Sequence, residues 1–223
     1  MKQLKVTQLY DLNETIAAEY MGSHEYPWQL MGNLYYCITD LGKALPKENF
    51  EEVKENVWIA KSARVADTAV IEGPCIIDES AEVRHAAFIR GTVIVGKFAV
   101  VGNSTEIKNS ILFNWVQVPH FNYVGDSILG CKAHLGAGAI TSNVKSDGTL
   151  VNVKALRVFE TGLKKLGAMI GDNVEVGCNS VLNPGTVVGR NTIIYPMSMV
   201  RGYVPADSVY KRQGEIADRI SAH

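Results

Sequence analysis

In the stretch "VPHFNYVGD", Val118 to Asp126, His120 and Tyr123 stand three residues apart, just ahead of a glycine and an aspartate. Histidine titrates near neutral pH, so an imidazole held in place is a ready general base. Taken alone, the residue reads more readily as a surface or satisfied histidine. Upstream lie two cations, Arg90 and Lys108, eighteen residues apart. If they stack with backbones about 5 Å apart, they repel by about a kcal/mol even through water. They read either as solvated side chains that splay apart or as a site for an anion, with phosphate the natural guest.

The elements that position these residues follow a six-residue period. Ile59, Val65, Ile71, Ile77, Val83, Ile89, Val95, Val101 and Ile107 are all aliphatic. Two places before each stands a small or β-branched residue, or a cysteine, from Val57 through Thr105. The phase continues with two five-residue steps through Leu112, Val118, Val124, Leu129 and Leu135, and returns at Ile170, Val176, Leu182, Val188, Ile194 and Val200. Neither a 3.6 period nor simple alternation produces this, whereas a parallel β-helix does. Each aliphatic residue fills the prism, and glycine often follows it, as at Val124-Gly125 and Leu135-Gly136. Arg90 and Lys108 each follow a core residue with no break in frame, so they share one corner of successive coils.

The repeat resembles that of the hexapeptide-repeat acyltransferases, whose prism is a left-handed β-helix, normally trimeric, with eighteen residues per coil. About seven coils follow from the repeat, giving a height of about 33 Å. The specific resemblance is to the C-terminal acetyltransferase half of the bifunctional UDP-N-acetylglucosamine pyrophosphorylase / glucosamine-1-phosphate N-acetyltransferase, and covers roughly residues 57–205. The segments "FIRGTVIVG", "NSTEIKNS", "HFNYVGD" and "LGAGAITSN" match that family in type, order and spacing. The resemblance implies His120 as the catalytic base. It implies Arg90, Lys108, Tyr123, His134 and Lys165 as sugar-phosphate contacts, and Ala137, Asn143 and Cys178 as contacts to acetyl-CoA. Several positions depart from the family. His134 stands where the family has an asparagine, Val144 where it has a tyrosine and Cys178 where it has a serine. Lys165 is the nearest match to a lysine that the insertion at 144–167 displaces. That longer loop is similar to the acetyltransferase halves of archaeal sugar-phosphate nucleotidylyltransferases.

The implied reaction is acetyl transfer from acetyl-CoA, as co-substrate, to an amino-sugar phosphate such as a hexosamine 1-phosphate. The attacking amine must lose a proton, and the thioester oxygen needs a hydrogen-bond donor. A backbone N–H near Ala137 or Cys178 is the expected donor, and no metal is required. Two other readings use the same prism. A trimer could keep the sugar-phosphate pocket as a non-catalytic binding or scaffolding protein. A γ-carbonic-anhydrase-like enzyme would use His85, His120 and His134 as zinc ligands. Two coils, about 10 Å, separate His85 from His120, and Gly125 stands where that metal family has a further histidine.

The rest of the chain bounds the reading. Of 223 residues, 22 are basic and 23 acidic, so the near-zero net charge gives no general pull toward nucleic acid or anionic membrane. No apolar run suits a signal peptide or a membrane span, and none of the four cysteines forms a C-x-x-C pair. A cytoplasmic homotrimer is expected. Residues 1–55 read as helices, with a capping start in "DLNETIAAEYM" and one face of Met31, Leu34, Tyr35, Ile38 and Leu41 beginning at Pro27. They would cover an end or side of the prism or act as a substrate lid. They contain no glycine-rich uridylyl-binding segment, so a nucleotidylyltransferase domain is expected to be lacking. The β-helix is placed at 56–205, the insertion at 144–167, and a helical tail at 206–223.

Overall fold

The computed structural model describes residues 2–219. It is a mainly β, parallel solenoid of the left-handed β-helix type, with three flat walls. The first and second walls have nine strands and the third has seven. Register steps by one coil at each rung: Ile89 pairs with Ile107 and Ile107 with Val124 on the third wall. All inward aliphatic residues from Ile71 to Val200 are buried, as the period requires. Ile59 and Val65 in the first coil are only half-buried, because no coil lies beneath them.

The first wall differs from the others. Its outward residues Ile76, Ile94, Ile111, Ile128, Met169 and Val187 are apolar and fully buried. The N-terminal segment covers them. Its longest helix, Leu34–Ala44, brings Gly42 so close to the Trp58 indole that a Cβ there would clash. Higher up, Glu14 O accepts from Asn114 N–H at 3.0 Å and Leu9 O from Asp172 N–H at 3.1 Å. The N-terminal helices are therefore a side cover. Two details differ from the expectation. The turn at Pro27–Gln29 is 3₁₀, and the α-helix starts only at Leu34. Its buried face is Leu34, Cys37 and Ile38, which leaves Tyr35, one step of 100° round, 49% exposed. Asp11 caps Asn13 N–H at 3.0 Å, but only a 3₁₀ turn, Leu12–Glu14, follows it.

Both ends of the prism close with antiparallel strands rather than helix. Phe50–Lys54 pairs with Val57–Ala60, so the β structure begins inside the segment expected to be helical. The tail expected to be a helix instead forms a hairpin, Ser208–Arg212 with Glu215–Asp218, turning at Gly214 with φ 81°. It caps the open edge of the last coil, where a helix would leave strand groups unpaired. Residues 220–223 of that tail lie outside the described residues. The insertion at 144–167 carries a two-stranded hairpin, Asn152–Lys154 with Val158–Glu160, whose Phe159 packs on Tyr26 and Trp28 of the N-terminal segment. No helix among the described residues is long and apolar enough to cross a membrane.

Candidate active site

His120 ends the strand Gln117–His120 on the second wall, and its side chain is exposed. The corner beyond it is a hydrogen-bonded ladder. Phe121 N–H donates to Asn103 O at 2.9 Å, Gly138 N–H to His120 O at 3.0 Å, Asn179 N–H to Ala137 O at 2.9 Å and Met197 N–H to Cys178 O at 2.9 Å. His120, Ala137 and Cys178 thus hold the same place in three successive coils, spanning about 10 Å. Gly136 has no room for a side chain: a Cβ would stand 2.7 Å from the Cys178 amide nitrogen. Among the described residues, the Ala137 and Cys178 amide hydrogens make no intrachain hydrogen bond, so both remain available as donors. Cys178 is exposed, while Cys37, Cys75 and Cys131 are buried. Burial pushes the Cys37 and Cys131 thiols up to about 12.

Asn122 fixes this corner from inside the prism. Its Oδ1 accepts from His120 N–H at 3.1 Å, and its Nδ2 donates to Gly136 O at 2.8 Å and Ala139 O at 3.2 Å. The chain turns through Phe121 at φ 50°, a conformation the ladder imposes on a bulky residue. Sequence reasoning gave Asn122 no role. The signal was there: a polar residue occupies the inward slot two places before Val124, where the repeat otherwise places small or β-branched residues. Thr141 is polar in the aliphatic slot itself, in register with Val124 and Leu182, and its inward Oγ1 accepts from Gly125 N–H at 2.9 Å.

Around the corner, the third wall brings four predicted residues together. Strand register stacks Arg90 beside Lys108 on successive coils, as their spacing requires. Each cation is paired with a carboxylate. Arg90 Nη1 lies 2.6 Å from Glu106 Oε1, and this hydrogen bond pushes the guanidinium further up. Lys108 Nζ lies 3.2 Å from Asp126 Oδ2, whose side chain is only 5% exposed. Asp126 also accepts from Asn109 Nδ2 at 2.8 Å and from Asn143 Nδ2. Asn143 in turn donates to the Tyr123 hydroxyl at 3.2 Å. Burial pushes the Tyr123 phenol up, so it stays protonated at neutral pH. Gly125 is required here, because a Cβ would meet Tyr123 Oη at 2.7 Å and Asn143 Nδ2 at 2.8 Å. Asn143, expected at acetyl-CoA, hydrogen-bonds within the cluster around Tyr123. Lys165 is exposed, next to Leu166, whose N–H donates to Asn143 O at 3.0 Å. Glu106 and Asp126, which neutralise the two cations, were not singled out from sequence.

His134 lies apart, on the second wall, with Nδ1 2.8 Å from Glu175 Oε2. His85 Nδ1 lies 2.8 Å from Thr68 Oγ1. With His85 and His120 two rungs apart on the corner ladder, these imidazoles do not converge on one point. Among the described residues, no three His, Cys, Asp or Glu side chains are grouped to hold a metal.

Comparison with known proteins places this geometry. Residues 71–162 match the family model described as the GMPPB C-terminal domain, and residues 167–202 match that of the bacterial transferase hexapeptide (six repeats). The uncharacterized acetyltransferase YaiX of Escherichia coli (strain K12) is 32% identical over 164 residues, 73% of this chain and 71% of that protein. The chain belongs to the hexapeptide-repeat acyltransferase family. The chain also has longer relatives. The bifunctional protein GlmU of Methanococcus maripaludis (strain C5 / ATCC BAA-1333) is 39% identical over 112 residues, 49% of this chain and 27% of that protein. The bifunctional sugar-1-phosphate nucleotidylyltransferase/acetyltransferase of Sulfurisphaera tokodaii is 36% identical over 110 residues, 48% of this chain and 27% of that protein. The chain thus spans about a quarter of the length of these curated relatives.

Proposed function

We propose that the chain is an acetyl-CoA-dependent N-acetyltransferase acting on an amino-sugar phosphate as a homotrimer. The observation that carries this reading is the corner ladder. It aligns the His120 imidazole in one column with the free N–H groups of Ala137 and Cys178, three residues of chain before Tyr123. The name of the Sulfurisphaera relative, which joins an acetyltransferase to a sugar-1-phosphate nucleotidylyltransferase, supports the same chemistry.

In this mechanism Arg90 and Lys108 exchange Glu106 and Asp126 for the phosphate of the acceptor, and Tyr123 and Lys165 contact the sugar. His120 takes a proton from the amine as its nitrogen attacks the thioester carbonyl carbon. The carbon–sulfur bond then breaks, and the thiolate of coenzyme A leaves and is protonated. The N–H of Ala137 or Cys178 stabilises the oxygen that becomes negative, and no covalent enzyme intermediate forms.

Trimer formation fits the coverage of the walls. The N-terminal segment occupies the first wall and leaves the second and third for neighbours. Their shared corner exposes Phe121 and Met197, by 61% and 77%. A neighbour would then supply part of the acetyl-CoA wall. The test is turnover of acetyl-CoA with a panel of hexosamine 1-phosphates, free hexosamines and nucleotide-linked hexosamines. Release of coenzyme A with a phosphorylated amino sugar supports the reading. Sugar-phosphate binding with no release from any acceptor would make this a binding protein.

A further inference from the structure

The corner between the first and second walls carries a different column. Backbone bonds from Phe98 N–H to Glu79 O, Trp115 N–H to Lys97 O, Lys132 N–H to Asn114 O and Asn173 N–H to Cys131 O place Phe98, Trp115, Lys132 and Asn173 in equivalent positions of successive coils. All take the left-handed conformation, as do Ser80, Asn191 and Asp207 in the same column. Five of these seven positions are polar: Ser80, Lys132, Asn173, Asn191 and Asp207. The other two hold large aromatic rings, at φ 58° and 64°, where a bulky residue is uncommon. Phe98 and Trp115 stack with centroids 4.1 Å apart and planes 11° apart, yet remain 43% and 46% exposed.

The stack runs along the prism axis and stops at Trp115. The next place is occupied by Lys132, whose side chain is exposed. Beside that place is a cleft of about 290 Å³ lined by Trp115, Gln117, Lys132, His134 and Glu175. Gln117, His134 and Glu175 form its back wall, in register on three coils. Gln117 is exposed and lines the cleft, and among the described residues its side-chain amide makes no hydrogen bond within the chain, so its donor and acceptor are free for a ligand. An aromatic face, an amide that can read a ring edge and a lysine at the rim suit one ligand class: a nucleobase carrying a phosphate.

We propose that this cleft is a nucleotide slot, in which a base stacks on Trp115 beside Lys132, Gln117 pairs with its edge and Lys132 holds its phosphate. The base belongs either to a nucleotide-linked acceptor or to the adenine of coenzyme A; in that assignment alone the inference rests on the proposed acetyl transfer.

Binding of UMP, AMP and ribose 5-phosphate to the full chain by calorimetry tests it without turnover. The nucleotides bind and ribose 5-phosphate does not. Trp115→Ala weakens nucleotide binding on the order of tenfold or more, while Trp115→Phe retains it. Displacement of AMP by coenzyme A but not by pantetheine assigns the slot to the adenine. Displacement by a nucleotide-linked hexosamine, and not by coenzyme A, assigns it to the acceptor. No nucleotide binding, equal binding by Trp115→Ala, or equal binding of ribose 5-phosphate overturns the slot. Because the readout is binding, a chain that transfers no acetyl group can still support it, and an active enzyme can still refute it.

Discussion

The Asn143 side-chain amide donates to both the Tyr123 hydroxyl, at 3.2 Å, and the buried Asp126 carboxylate. Asp126 in turn holds Lys108 at 3.2 Å, so one asparagine links the phenol to the cation. Removing it leaves a buried acceptor short of a donor, which typically costs about 1–3 kcal/mol. Asn143→Ala is expected to lower the thermal midpoint and reduce turnover. Asn143→Asp is expected to do worse, because it sets a second carboxylate against Asp126 in a buried place. Thermal melts and kinetics of the two variants check the order, and an Asn143→Asp protein as stable as wild type would refute it.

Replacing His120 separates chemistry from folding. Its side chain is exposed at the corner, so His120→Ala is expected to leave the melting temperature nearly unchanged and to lower turnover by about 10²–10⁴. Asn122→Ala is the opposite case. It orphans the His120 N–H and the Ala139 carbonyl inside the prism and takes one of two donors from Gly136 O, so stability is expected to fall by about 1–3 kcal/mol together with activity. Denaturant titrations of both variants distinguish the two roles.

Glu106 competes with any anion for Arg90. Removing its charge should favour a phosphorylated acceptor, so Glu106→Gln is expected to lower KM for a hexosamine 1-phosphate and leave KM for acetyl-CoA unchanged. Arg90→Ala is expected to raise the former alone. The pair is exposed, and such pairs add little to stability, so melting temperatures should barely move. Equal changes for both substrates would point to a distorted site.

The sequence made the prism legible because its period is carried by core residues, which cannot drift without opening a cavity. Phe159, Tyr26 and Trp28 show why the surrounding parts were harder to see: their packing joins segments more than a hundred residues apart, and no short-range pattern records that. The stacking of Arg90 on Lys108 followed from counting. Their carboxylate partners did not, since Glu106 and Asp126 act across coils rather than along the chain. The side cover over the first wall did leave a trace, in triplets such as "CII", "VIV" and "AMI", whose middle residue should be polar if that wall faced water. The C-terminal tail failed as a helix because its residues complete an open strand edge, a demand set by the last coil.

Thiol reactivity probes the acetyl-CoA column. Cys178 is exposed and Cys37, Cys75 and Cys131 are buried, so the native chain is expected to react at Cys178 alone with a disulfide reagent. Coenzyme A should slow that reaction if it lies along the Ala137–Cys178 column. Mass analysis of the labelled peptides checks both points, and labelling unaffected by saturating coenzyme A would place the co-substrate elsewhere.

The most direct measurement is the mass of the product formed from acetyl-CoA and a hexosamine 1-phosphate by the purified chain, beside the same reaction with His120→Ala. The account predicts a sugar phosphate heavier by one acetyl group on nitrogen, formed at least about a hundredfold more slowly by the variant. An unchanged sugar phosphate with wild-type protein, or equal rates for the two proteins, would contradict it.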